Sequence, residues 1–201
     1  MKDTKELVLI LKENTSYTPI DVAKELSNRY EELGEAIILP TSENKKTPRI
    51  IFNNNPDFQI QGNMQTFTIV VRHNYFDVLP SIIFDVVDTL EEFNCNFVRI
   101  GYVSSVFLSP KYVKKSQDRF LNMEHIEEIK DMNLSWYRKL PMKYGEINCW
   151  ERFITDSHNF NDLLCQYDFN SLATEEIKLD MKYIKEFIKY ADEYIEKRID
   201  F

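Results

Sequence analysis

Glycine is scarce in this chain: four residues in 201, isolated at Gly34, Gly62, Gly101 and Gly145. A loop that cradles phosphate needs several glycines so that backbone N–H groups can approach the anion, so Walker-type and Rossmann-type nucleotide binding are not expected. Histidine is equally sparse, and His73, His125 and His158 stand far apart. Only EHIEE brings a histidine near a carboxylate, with His125 and Glu128 three residues apart. No second Glu-x-x-His accompanies it, so an exposed polar helix is expected there and no metal site. Cys95, Cys149 and Cys165 are odd in number and lack C-x-x-C spacing, which reads as free thiols in a reducing compartment. No G-x-S-x-G turn presents a serine, and Ser104 and Ser105 fall in mid-strand. The apolar stretch Leu7 to Leu11 is too short for a membrane span or a signal peptide. A cytoplasmic protein with no cofactor and no membrane partner is expected.

Positive charge is also in deficit. The formal net charge is -8, which argues against nucleic acid as a direct ligand, because phosphate-backbone binders present a surplus of Lys and Arg. The balance varies along the chain: residues 99–152 are mildly basic and both flanks are acidic. What the chain does hold is core-forming material. Apolar residues make up 43%, including 14 Phe and 11 Tyr, enough to fold one domain of ordinary size.

The pattern alternates between short strands and amphipathic helices. KELVLILKE reads as a strand. In TPIDVAKELSNRYEELG, Thr18 caps, Pro19 occupies the first helical position, Ile20, Ala23, Leu26, Tyr30 and Leu33 form a stripe, and Gly34 stops the helix. AIILP is a strand and TSENKKTP a loop. RIIFNNNPDFQIQGNMQTFTIVVRHN holds up to three strands, with Gly62-Asn63 supplying positive backbone angles for a hairpin. LPSIIFDVVDTLEEFN restarts a helix with Pro80 in its first turn. After FVRIGYVSSVFL, a helical segment begins at Ser109-Pro110 and EHIEEIKDM adds a further short turn. NLSWYRKLPM, GEINCWERFITD and FNDLLCQYDFN read as strands, and a long helix runs from Glu175, with Ile177, Met181, Ile184, Ile188, Ala191 and Ile195 on one stripe. The fold class is α+β: a mostly antiparallel sheet with amphipathic helices packed on one face. The span 1–201 reads as a single compact domain, or as two similar α/β halves, 1–108 and 109–201.

Two places invite a functional reading. KYVKK and SWYRK combine charge with aromatic rings, so Lys111, Lys114, Lys115, Trp136, Tyr137 and Arg138 form a candidate interaction surface, weighed against core packing of Trp136 and an ordinary lysine-bearing helix face. In FVRIGYVSSVFL, Val98, Ile100, Tyr102, Val106 and Leu108 form one face, broken by Ser104, while Arg99, Gly101, Val103 and Ser105 point the other way. Arg99 is read as a structural polar residue paired with a buried carboxylate.

KELVLILKE, DTLEEF followed by RIGYVSSVF, and YDFN before a long helix together resemble a sporadically distributed family of uncharacterised bacterial α+β proteins. Arg99, Ile100 and Gly101 match that family's Arg-hydrophobic-Gly strand. Tyr102, Val103, Ser104 and Ser105 stand where the family tends to continue with a second arginine, an aromatic residue and an asparagine. The resemblance implies a duplicated-looking architecture and supplies no reaction. The expected function is a non-enzymatic protein-interaction module with another protein as partner. A role in host versus mobile-element conflict is one form of it, for example as an acidic inhibitor of a basic partner. The alternatives are a small-ligand or nucleotide sensor, or an enzyme whose site assembles from distant residues.

Overall fold

The computed structural model describes residues 3–12, 18–39, 49–108, 132–155, 163–174 and 177–199. In chain order its elements are β1 (Thr4–Leu11), α1 (Pro19–Arg29), β2 (Ile37–Leu39), β3 (Arg49–Asn55), β4 (Phe58–Gly62), β5 (Thr66–Arg72), α2 (Leu79–Glu92), β6 (Phe97–Leu108), β7 (Asn133–Met142), β8 (Gly145–Thr155), β9 (Leu163–Ser171) and α3 (Met181–Ile199). The nine strands form one sheet in the order β2-β3-β4-β5-β1-β6-β9-β8-β7. Every neighbouring pair is antiparallel. The α+β class is therefore realised as one wide sheet with helices.

One connection scheme recurs. β1 pairs with β5, the last strand of the run β2 to β5, and β6 pairs with β9, the last strand of the run β7 to β9. β1 and β6 then pair with each other at the centre. Both central strands are buried on one face through Leu7, Leu9, Ile100 and Tyr102, none of which is exposed. The strict alternation of side chains in a strand puts these residues on a common side of the sheet.

The helices cover that same side. Asp192 of α3 receives bonds from Lys5 and Tyr102, and the Tyr194 ring of α3 stands edge-on to Phe169 of β9. Tyr30, just after α1, packs edge-on against Phe58 of β4 and bonds Asp85 of α2. α2 lies between α1 and α3 and packs against both. The apolar stripes of the three helices account for this: Val22, Ala23 and Leu26, then Ile83, Val86, Val87 and Leu90, then Ile184, Phe187, Ile188, Ala191 and Ile195 are all buried.

Several local expectations change. Thr18 does cap α1, accepting the Asp21 N–H, but the helix ends at Arg29, and Gly34 instead closes a short 3₁₀ turn at φ 65. The Gly62-Asn63 pair supplies no positive backbone angle. Gly62 is a strand residue whose missing Cβ admits the Phe67 ring, 2.4 Å from where that atom would sit. The Asn63 side chain makes the turn, accepting the Gln65 and Thr66 N–H groups at 2.8 and 2.9 Å. α3 starts at Met181 rather than Glu175, because Asp180 accepts the Tyr183 N–H at 2.8 Å as a cap. Ile177 joins the sheet, its N–H bonding Phe97 O at 2.7 Å. The helical segments expected from Pro110 onward lie outside the described residues. No helix among the described residues is long and apolar enough to cross a membrane.

Candidate interaction face

The side of the sheet away from the helices is defined by the residues that alternate with the core. From the register these are Glu6, Val8 and Ile10 on β1, Arg99, Gly101, Val103 and Ser105 on β6, and Gln166, Asp168 and Asn170 on β9. Asn148, Trp150 and Arg152 on β8 continue it, as do Tyr137 and Lys139 on β7. On the other flank lie Thr68 and Val70 of β5, Gln59 and Gln61 of β4, and Arg49 and Ile51 of β3. Most of these are half-buried. Among the described residues no helix packs on this face.

One row crosses the middle of the face. Val70 lies opposite Glu6, Glu6 opposite Val103, Val103 opposite Asp168, Asp168 opposite Trp150, and Trp150 opposite Tyr137. Burial, and secondly the nearby Asp168 charge, hold the Glu6 carboxyl above its usual range. No ion pair joins Glu6 or Asp168 to a described cation. Asp168 accepts the Asn170 amide at 2.6 Å. Gly101 keeps the floor low beside it: a Cβ there would come within 2.9 Å of the Asn170 side-chain oxygen. At the end of the row, Trp150 and Tyr137 are 42% and 45% exposed, with ring centroids 5.1 Å apart. Near the opposite end, Ile51, Gln59, Gln61 and Val70 line a shallow depression of about 80 Å³.

Of the expected basic and aromatic surface only Trp136, Tyr137 and Arg138 are described, and these three do not share a face. Strand alternation in β7 divides it: Trp136 turns to the helix side, edge-on to Phe153 at 5.5 Å, and Arg138 turns the same way onto Glu151 at 2.6 Å. Of these three, Tyr137 reaches the side away from the described helices, where its hydroxyl bonds the Asn148 side-chain oxygen at 2.6 Å. Lys111, Lys114 and Lys115 lie outside the described residues, as do His125 and Glu128.

Arg99 is on the face away from the described helices, directly across from Ile10. Among the described residues no carboxylate pairs with it: its Nε is buried with no hydrogen-bond partner, and no salt bridge to a described residue includes it. The one buried acid of the described strands, Glu151, lies on the other side of the sheet.

Glu151 is 2% exposed among the core residues of β8. It is held by Arg138, by the Tyr194 hydroxyl at 2.7 Å and by Arg198 at 3.4 Å. The signal was present in the sequence: Ile147, Cys149, Glu151, Phe153 and Thr155 alternate, and an acid on a core stripe needs a partner. A second bond set, Lys5 Nζ to Asp192 at 2.8 Å and Tyr102 hydroxyl to Asp192 at 2.6 Å, ties α3 to the central strands. Lys5 also lies over the Phe76 ring at 4.7 Å. Both clusters fasten helix to sheet, with their charges already paired.

All three cysteines are buried free thiols. Burial pushes Cys149 and Cys165 up to about 12, far from the thiolate a nucleophile or metal ligand requires. No group of three or more His, Cys, Asp or Glu among the described residues could hold a metal ion. No family model matches this chain, and no curated protein matches it.

Proposed function

We propose that this chain is a non-enzymatic protein-interaction module that docks another protein on the face of its sheet away from the described helices, acting in its narrower form as an acidic inhibitor of a basic partner. The observation that carries this reading is the distribution of unspent groups. On the helix side the charges of Glu151 and Asp192 are matched by arginine, lysine and tyrosine. On the other side Glu6, Asp168 and Arg99 have no ion-pair partner among the described residues, and Trp150 and Tyr137 remain exposed. Aliphatic patches between polar side chains, with exposed aromatics at the rim, match the composition of protein interfaces.

Affinity capture on the immobilised chain from native lysate tests the reading. One partner should be retained in stoichiometric amount and released as salt is raised, because screening weakens complementary charge. Recovery of the chain alone, or retention indifferent to salt, contradicts it.

A further inference from the structure

We infer that the cavity where the start of β1 and the end of β6 meet α3 binds a small primary alkylammonium of about six non-hydrogen atoms. It lies on the helix side of the sheet, apart from the docking face, so neither reading depends on the other. Lys5, Phe76, Ser104, Val106, Asp192 and Ile195 line most of it, and its volume is about 170 Å³. A cavity of roughly 150 Å³ is enough to hold benzene, so a five-carbon chain ending in one nitrogen fits the space.

The group that points to a ligand is Ser104. It is 3% exposed and forms part of the cavity wall, yet its hydroxyl makes no hydrogen bond with a described residue. Buried hydroxyls ordinarily have a partner. Lys5 sits directly across from Ser104 in the β1–β6 register, but it donates to Asp192 at 2.8 Å and lies over the Phe76 ring at 4.7 Å. The Ser104 oxygen is therefore left to accept from whatever enters the cavity.

Charge and lining decide the class of ligand. Three carboxylates, Asp3, Asp192 and Glu196, stand against one ammonium, Lys5, which disfavours an anion. The carboxylates do not converge as metal ligands, since no group of three or more His, Cys, Asp or Glu among the described residues could hold a metal ion. Phe76, Val106 and Ile195 supply an apolar wall that an alkyl chain covers and a hydrated inorganic ion does not. An ammonium brings three donors and no acceptor. Ser104 and the carboxylates of Asp192 and Glu196, one turn apart on α3, supply acceptors for them.

n-Pentylamine, titrated at neutral pH into the isotopically labelled full chain and followed by amide chemical shifts, is the test. Saturable shifts are expected at Ser104, Val106 and Ile195, and not with pentanoate, the anion of the same chain length. Ser104→Ala removes only the hydroxyl, so it should keep the parent's thermal midpoint and bind about tenfold more weakly, the size of one hydrogen bond to a charged group. Nα-acetyl-lysine amide, which carries the same ammonium on a bulkier body, should bind more weakly than pentylamine. Shifts that do not saturate, equal binding of pentanoate, or affinity unchanged in Ser104→Ala overturns the inference. Tighter binding of the blocked lysine overturns it too, by assigning the cavity to a side chain of a partner.

Discussion

Glu6 and Asp168 stand directly across from Val103 in two different strand pairings, so one valine separates two carboxylates that no described cation neutralises. Their repulsion adds to the burial of Glu6, which is the larger cause of its raised carboxyl. Because the folded value lies above the ordinary 4.5, the stability Glu6 contributes is complete below that pH and is lost as pH rises through the folded value. Glu6→Gln should therefore stabilise the protein near pH 7 by about 0.5 kcal/mol, allowing for solvent screening of a partly exposed pair. The gain should vanish near pH 4, where the parent carboxyl is protonated in both states. Urea midpoints at the two pH values check this.

Glu151 has the opposite character. Its partners Arg138, Arg198 and Tyr194 come from β7 and α3, so its removal loosens the helix from the sheet edge. Glu151→Gln should cost about 2 kcal/mol, less than a fully enclosed pair because both arginines can turn toward water. Urea unfolding with an unchanged slope would show that the loss is one of stability alone.

Asp192 is the corresponding anchor at the centre of the sheet. Asp192→Ala leaves the Lys5 ammonium and the buried Tyr102 hydroxyl without their acceptor and should cost about 3 kcal/mol, whereas Tyr102→Phe removes one hydrogen bond and should cost about 1 kcal/mol. The order of the two thermal midpoints checks the assignment.

Gly62 and Gly101 separate packing from flexibility. An added Cβ at Gly62 meets the buried Phe67 ring at 2.4 Å, while at Gly101 it meets the movable end of Asn170 at 2.9 Å. Gly62→Ala should cost about 2 kcal/mol by overpacking, and Gly101→Ala markedly less.

The buried thiols give a further check. Cys95, Cys149 and Cys165 are enclosed, and burial holds the latter two thiols up at about 12. A thiol-specific disulfide reagent should titrate none of them in the native protein at neutral pH and all of them after unfolding.

Local chemistry was legible in the sequence. The Phe67, Ile69, Val71 stripe is buried as the alternation requires, and the face shared by Arg99, Gly101, Val103 and Ser105 is the one observed. What failed was either competition between local solutions or information from far away. Asn63 turned the hairpin with its side chain, which left Gly62 free to make room for Phe67. Asp180 outcompeted Glu175 as the start of the last helix. Alternation within SWYRK should have separated Tyr137 from Trp136 and Arg138, and their register does so. The Lys5–Asp192 bond spans 187 positions, and no local pattern records it. The Glu6 and Asp168 row likewise exists only because β1 and β9 both flank β6.

The most direct measurement compares capture of the native partner by three forms of the chain: the parent, Val103→Arg on the face away from the described helices, and Lys185→Glu on the exposed side of α3. All three should show the same thermal midpoint or better. The partner should be retained by the parent and by Lys185→Glu and lost from Val103→Arg. Retention by Val103→Arg together with loss from Lys185→Glu would place the binding surface on the helices and contradict the account.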